Sequence, residues 1–431
     1  MIYKFFKLTF FTFLISLLFS CDSTQQSATQ AEWRALPAPI SEGRYDDVFF
    51  LNKDLGWAAD GRGKKVYKTT DGGLNWIEQL HLPGAYLRNI EFLNENIGFL
   101  GTLTNKFYKT VDGGQNWEIV TNIPQPTIAI CGLDTVGKST IYGCGTYFGP
   151  AYIIKSTDSG QTWQFIDMSA YAEALVEVLF VTENIGYASG GDANGGVVLK
   201  TTDGGNSWTE IYNTNLPGEW VWKLQKLQSE PNVFFGSVAS YSPNKGKLIK
   251  SFDGGANWVS LEVPDTDVQA VGFISKTHGW MGGHNSGFLE TFDGGYTWHD
   301  TKFGGNLNRI QILNDDLAFC SGTTIYKYSA GVNLNGVFGG SVNAKKERLN
   351  INLNPIVTNN NLNFSINFKD KNHIIIKLFN ANGKHIKTLK NETIQASEIK
   401  NYSFPFPYEK GNYYLNLHDD EGGQSEMIIK K

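Results

Sequence analysis

One string, Ser/Thr-x-Asp-x-Gly-x-x-Trp, recurs six times along the chain and restricts its fold more than any other feature. "YKTTDGGLNW" ends at Trp76, "YKTVDGGQNW" at Trp117, "IKSTDSGQTW" at Trp163, "LKTTDGGNSW" at Trp208, "IKSFDGGANW" at Trp258 and "LETFDGGYTW" at Trp298. The aspartates are Asp71, Asp112, Asp158, Asp203, Asp253 and Asp293, and successive copies lie 40 to 50 residues apart. A period of that length is what propeller blades show. Within one period, "LRNIEFL", "IGFLGT", "KFYKTV" and "WEIVTN" read as four short strands separated by the turns "NEN" and "DGGQN". No stretch has sustained helical periodicity.

A seventh unit, "LNRIQILNDDLAFCSGTTIYKYS" at 307–329, matches the first three strands and stops before the turn and its Trp. The missing strand stands at the other end of the chain. "EWRALPAPISEGRYDDVFFLN" aligns with "NWIEQLHLPGAYLRNIEFLN" and puts Trp33 where Trp76 stands. Pairing of 32–38 with 324–329 closes the ring and removes the open strand edges. The expected fold is all-β: a seven-bladed β-propeller with N-terminal strand closure, followed by a small β-sandwich domain. Its expected divisions are 1–20 signal peptide, 21–30 tether, 31–330 propeller, 331–348 linker and 349–431 C-terminal β-domain.

The repeated residues suit a turn. Asp accepts backbone N–H groups, Gly permits positive φ, Ser/Thr adds a local bond and Trp plugs the space between blades. Six copies spread around a ring cannot converge on one catalytic centre, so they are read as structural. The string resembles the Asp-box of the BNR-repeat families within the WD40/YVTN/BNR-like class. Those families include sialidases, two-propeller xyloglucanases and the photosystem II assembly factor group (Ycf48/Hcf136-like). The resemblance covers about 300 residues and is specific for fold rather than activity. It implies that the Asp-box turns lie opposite the ligand face.

Each end carries a targeting pattern. Lys4 and Lys7 precede an apolar Leu8–Phe19, an export signal too short to span a bilayer. Leu18-Phe19-Ser20-Cys21 resembles a bacterial lipobox with Cys21 lipidated; an ordinary signal with an incidental Cys21 is the alternative. After Gly340 a new alternation begins. Asn354-Pro355, Asn382-Gly383-Lys384, Gly411, Tyr413-Tyr414 and Lys430-Lys431 resemble the type A C-terminal sorting domain of type IX secretion. An adhesive immunoglobulin-like module is the alternative. The implied location is exported: outer membrane, cell surface or secreted.

The net charge of −5 comes without a basic stripe, which argues against nucleic-acid binding. Cys131 and Cys144 can form a disulfide or remain buried free thiols. No metal-ligand spacing or cofactor motif is present, so no metal and no cofactor are expected. Candidate ligand-face residues, on loops between strands two and three or between blades, are Arg62, Tyr86, Tyr147, Asp192, Asn194, Trp220, Trp222, Tyr241 and His284. They suit a protein or glycan partner. A sialidase-like reading lacks the Arg-Ile-Pro motif and has only Arg34, Arg44, Arg62, Arg88 and Arg309 in the propeller. A xyloglucanase-like cleft needs two propellers. Asp46, Asp47 and Asp192 keep a glycoside hydrolase as the alternative to a monomeric, non-catalytic binding platform at the envelope. The assembly-factor group relies on an arginine cluster that the sequence does not display.

Overall fold

The computed structural model describes residues 31–145, 149–330, 356–358, 361–367, 372–380, 385–395, 399–419 and 422–430. The expected leader, the tether with Cys21, the linker 331–348, Tyr147, Asn354-Pro355, Asn382-Gly383-Lys384 and Lys431 lie outside them. Seven four-stranded antiparallel sheets follow one another around a ring. Six are continuous in sequence, from Tyr45–His81 (blade 1) to Val268–Asp300 (blade 6). The seventh combines Arg309–Asn314, Leu317–Ser321 and Ile325–Ala330 with the N-terminal strand Ala31–Ala35, and Trp33 pairs with Tyr328. The ring closes as the offset alignment requires, but the ladder runs over Ala31–Ala35 with Tyr326–Ala330 instead of 32–38 with 324–329, and beyond it only Leu36 bonds the Ile325 carbonyl before the chain turns away at Pro37.

Each Asp-box is a self-satisfied turn. In blade 1 Asp71 accepts the Thr69 hydroxyl (2.9 Å), the Asn75 N–H (2.9 Å) and the Asn75 amide (2.7 Å). Thr69 Oγ1 in turn accepts the Gly73 N–H at 2.9 Å, and Gly72 and Gly73 sit at φ +71° and +91°. Trp76 Nε1 caps the turn on the Gly73 carbonyl at 3.1 Å. The Asp, Ser/Thr and Gly bonds recur in every copy, with Ser159 tolerating φ +59° where the others have glycine. The Trp cap recurs at Trp208 and Trp258, while Nε1 of Trp117, Trp163 and Trp298 is buried without a partner among the described residues.

Two further periodic contacts join the blades. A second-strand aromatic stacks flat on the inner-strand Phe of the next blade: Trp57 on Phe92 at 3.5 Å, Tyr142 on Phe180 at 3.5 Å, Phe235 on Phe273 at 3.9 Å and Phe319 on Phe50 at 3.4 Å. Trp117 meets Phe92 edge-on at 6.0 Å, so the Asp-box Trp packs against an inter-blade stack. A third-strand lysine also reaches an Asp-box glycine carbonyl of the next blade. Lys68 bonds Gly113 (2.9 Å), Lys155 bonds Gly204 (2.8 Å), Lys200 bonds Gly254 (2.8 Å), Lys250 bonds Gly294 (2.6 Å) and Lys327 bonds Gly72 (3.2 Å). Blade 7 has no Asp-box to receive such a lysine, and blade 6 carries Glu290 at that position. Glu290 instead accepts Trp280 Nε1 at 3.0 Å.

Hydrogen bonds from Asn116 hold the Asp112 carboxyl down at about 2, and Asp71, Asp158, Asp203 and Asp253 are also lowered. Their stabilisation is present above about pH 4 and is lost as pH falls toward 2. Asp112→Ala is expected to lower the melting temperature by about 3 °C at neutral pH and to leave loop-face binding intact. Thermal melts beside a binding assay check both; lost binding at an unchanged melting temperature would overturn the structural role.

The C-terminal unit has a three-stranded sheet (Ile356–Thr358, Asn361–Asn367, Ile399–Pro405) and a four-stranded one ordered His385–Ile394, Asn372–Asn380, Gly411–Asp419, Gly422–Lys430. Leu362, Phe364, Ile374, Ile376, Leu415 and Leu417 form its core. Lys430 is tied to the chain itself, donating to the Phe406 carbonyl at 2.9 Å and the Tyr408 carbonyl at 2.5 Å.

Candidate functional site

The loop face gathers its central residues through a repeated backbone irregularity. In blades 1, 2, 4, 5 and 6 the ladder between the first two strands skips one residue near the start of the inner strand. The skipped residues are Asp46, Arg88, Val176, Trp222 and Gln269. A β-bulge re-aims its extra side chain, and here Asp46, Arg88, Trp222 and Gln269 meet at one channel mouth, while Val176 packs with Cys131 and Trp222 in the apolar layer.

Asp46 is the hub of that mouth. Its Oδ1 lies 3.1 Å from Arg44 Nη2 and 2.7 Å from Arg88 Nη1, and all three residues are buried. Arg44 continues to Gln269 Oε1 at 3.0 Å and Asn306 Oδ1 at 3.1 Å, which ties blade 1 to blade 6 and the blade 6–7 connection. The Arg88 guanidinium stands 5.4 Å from the Trp222 ring, across the mouth from its own blade. Trp222 in turn leans on Trp220 at 5.9 Å. Tyr86 is half-buried beside Asp46, and burial together with that carboxylate raises its phenol pKa. His284 Nδ1 sits 2.8 Å from Asp267 and 3.1 Å from Gln269. Burial works against the Asp267 charge, but His284 and Arg44 hold its carboxyl below the usual range.

The structure brings Tyr86, Trp220, Trp222 and His284 to one mouth, but Trp220 and Trp222 stand in the inner strand Trp220–Lys226 of blade 5 rather than on a blade-joining loop, and Trp222 is buried because the bulge turns it inward. Exposed Arg62 packs on Gly43. Asp192, Asn194 and Tyr241 stand on outer loops of blades 4 and 5. Asp192 is a turn residue that accepts the N–H groups of Asn194 (2.7 Å) and Gly195 (2.8 Å) and the Asn213 amide (3.0 Å). Tyr241 is 66 % exposed. Sequence reading missed the roles of Arg44, Arg88, Asp267 and Gln269. The available signal was their common place at the start of each inner strand, in "GRYDDVFF", "YLRNIEF" and "DVQAVGF". Two arginines distant in sequence, Arg44 and Arg88, converge on Asp46.

The carboxylates considered for glycoside hydrolysis are committed elsewhere. Asp46 serves two guanidinium groups. Asp47 accepts the N–H groups of Val48 (2.9 Å) and Ile90 (3.0 Å) and faces Arg309 at 3.5 Å. Among the described residues no group of three His, Cys, Asp or Glu side chains is arranged to hold a metal ion. Cys131 and Cys144 are buried free thiols rather than a disulfide. Cys131 packs beneath Trp222, while Cys144 enters the core between blades 3 and 4. Burial pushes the Cys131 thiol up to about 11.

Fold and mouth together define a single-ring, seven-bladed Asp-box propeller with a buried Arg44–Asp46–Arg88 cluster at one mouth of its channel. Within that class the chain is similar to Ycf48-type proteins. Residues 250–321 match the family described as photosynthesis system II assembly factor YCF48. The photosystem II assembly lipoprotein Ycf48 of Synechococcus sp. strain CC9902 is 27 % identical over 359 residues, which span 71 % of this chain and 90 % of that one. A solved structure of YCF48 bound to D1 peptide superposes with a TM-score of 0.54 at 19 % identity, covering 71 % of this chain and 98 % of the other. YCF48 from Cyanidioschyzon merolae gives 0.54 at 18 %, covering 69 % and 98 %. At these identities the structural likeness carries the fold.

Proposed function

We propose that the chain is an exported, non-catalytic platform that binds a protein segment across the loop-face mouth. The observation that carries this reading is the mouth itself, where bulges on four blades converge on a buried Arg44–Asp46–Arg88 cluster walled by Trp222, Trp220 and Tyr86. Aromatic and arginine side chains are the residue types most enriched at protein-binding hot spots. A similar fold has been solved with a peptide bound, and the similar Synechococcus protein is a lipoprotein by name, which accords with lipidation at Cys21. The C-terminal unit is proposed to engage type IX secretion machinery, and a glycan partner remains within the same loop-face reading. A hydrolase is disfavoured because Asp46, Asp47 and Asp192 are each held by protein partners.

Photo-crosslinking in the full-length protein tests the face. A crosslinker at Tyr241 is expected to capture a discrete partner, whereas one at the 65 % exposed Val111 on the opposite face is not. Trp220→Ala should weaken that capture about tenfold or more, as loss of an aromatic hot spot does, in a protein that still melts cooperatively. Equal capture from both faces would defeat the proposal. So would hydrolysis of a glycoside panel that Asp46→Asn or Asp192→Asn abolishes without unfolding the protein.

A further inference from the structure

Below the mouth, the inner strands enclose a belt of charge that the binding site does not use. Asp47 comes from blade 1, Glu91 from blade 2, Asp134 from blade 3, Glu177 from blade 4, Lys223 from blade 5 and Arg309 from blade 7. Blade 6 adds no charge at this level: Ala270 stands where blade 1 has Asp47, and Gln269 belongs to the mouth above, on Arg44. Arg309 faces Asp47 at 3.5 Å and Glu91 at 3.7 Å, and Lys223 holds Glu177. Four carboxyl groups thus meet two cations, because Arg44 and Arg88 are taken by Asp46 above. Burying an excess of one sign is costly, and the common relief is a proton. Glu91 is 4 % exposed and its Oε2 accepts no hydrogen bond. Among the described residues no cationic nitrogen lies within 4.0 Å of Asp134.

Two other blades show what a polar side chain does at the Asp134 position. Gln225 of blade 5 and Gln311 of blade 7 occupy it, and both are neutral. Gln225 accepts the Phe273 N–H at 2.7 Å and donates to the Phe273 carbonyl at 2.8 Å. Gln311 does the same to Phe50 at 2.7 and 3.1 Å. Each amide staples its blade to the inner strand of the next. Asp134 accepts the Phe180 N–H in the corresponding way. A neutral carboxylic acid can also supply the donor half of that staple through its O–H; a carboxylate cannot.

We propose that the channel belt holds one dissociable proton between Asp134 and Glu91. Its release to water above neutral pH loosens the staple between blades 3 and 4. Burial raises Glu91 well above its usual range, and the partly buried Asp134 is raised in the same way, to about 7, with Arg309 opposing in both. Asp47 and Glu177 add repulsion, and Thr135 Oγ1 donates to Glu91 at 3.3 Å. The Cys131 and Cys144 thiols, also facing Lys223, are raised by burial and stay neutral in this range. Because the folded-state value exceeds the unfolded one, the stabilisation is full below about pH 4 and is lost as pH rises through about 7.

Asp134→Asn keeps the staple neutral at every pH. The melting temperature of the full-length protein is expected to fall between pH 5 and pH 8. The variant should lose less and exceed wild type by about 2–4 °C at pH 8. Infrared difference spectra of the wild type should show a protonated-carboxyl band at pH 6 that fades by pH 8. Loss of that band in Asp134→Asn or in Glu91→Gln supports the proposal. It is overturned by absence of the band at pH 6, by a band that survives both substitutions, or by an Asp134→Asn shift of equal size at pH 5 and pH 8.

Discussion

Asp46→Ala is expected to destabilise the propeller by about 3–5 kcal/mol, the range for removing one partner of a buried ion pair. The magnitude follows from what remains. Arg44 and Arg88 have side chains only 8 % and 6 % exposed, and both lose their carboxylate. Neither guanidinium can neutralise itself by losing a proton. Arg44 keeps Gln269 and Asn306, and Arg88 keeps the face of Trp222, but these contacts leave two like charges adjacent with nothing between them. Asp46→Asn preserves the shape and one acceptor oxygen, so it should fall between the alanine variant and wild type. Arg88→Met in the Asp46→Ala background should recover part of the loss, since it removes one uncompensated charge. Urea unfolding of the three variants measures all of this. A cost below about 1 kcal/mol for Asp46→Ala would mean that water reaches the arginines freely, as at an exposed ion pair, and that the mouth is open rather than packed.

Parts of the molecule were legible because they repeat. The Asp-box string sets the turn chemistry six times over, and the place of Trp33 foretells the strand exchange between the chain ends. The inter-blade lysines were also available, written in "YKT", "IKS" and "LKT", with Glu290 marking the junction where no Asp-box follows. The mouth was legible only in part. Tyr86, Trp220, Trp222 and His284 stood out as aromatic or loop residues, although Trp220 and Trp222 lie in the strand Trp220–Lys226 and Trp222 is itself a bulge residue. Arg88 and Gln269 sit inside strands where strict alternation gives them no special direction. A single bulge reverses that direction, and nothing in the local composition announces it. Pairing between Arg44, Asp46 and Arg88 is likewise a property of ring closure rather than of neighbouring sequence. The channel belt was invisible for the same reason: each blade contributes one unremarkable charged or amide residue, and only the ring brings them face to face.

Removing the closing strand is expected to have the largest effect of any change in the propeller. Ala31–Ala35 supplies the outer ladder of blade 7, and Leu36 extends it by donating its N–H to the Ile325 carbonyl at 2.8 Å. Trp33 stacks on Phe288 at 4.4 Å and meets Trp280 edge-on at 5.5 Å, so it also covers blade 6. Leu36 is buried with Phe50, Tyr67 and Phe319, across the junction of blades 7 and 1. Arg34 adds bonds to the Ser329 carbonyl at 2.7 Å and hydroxyl at 3.1 Å. Trp33→Ala alone should cost about 3 kcal/mol, the lower end for truncating a large aromatic, because the ring is half-buried. Deleting 31–38 removes all of these contacts together and exposes the edge of Ile325–Ala330, which invites pairing with another chain. The deleted protein should therefore lose its cooperative thermal transition or self-associate, as calorimetry and light scattering would show. A synthetic peptide of residues 31–38 added in excess should restore a monomeric ring, because the edge it fills is otherwise formed. A deletion variant that stays monomeric and melts within a few degrees of the full chain would show that three strands suffice for blade 7. Closure would then come from the aromatic stack of Phe50 on Phe319 rather than from the exchanged strand.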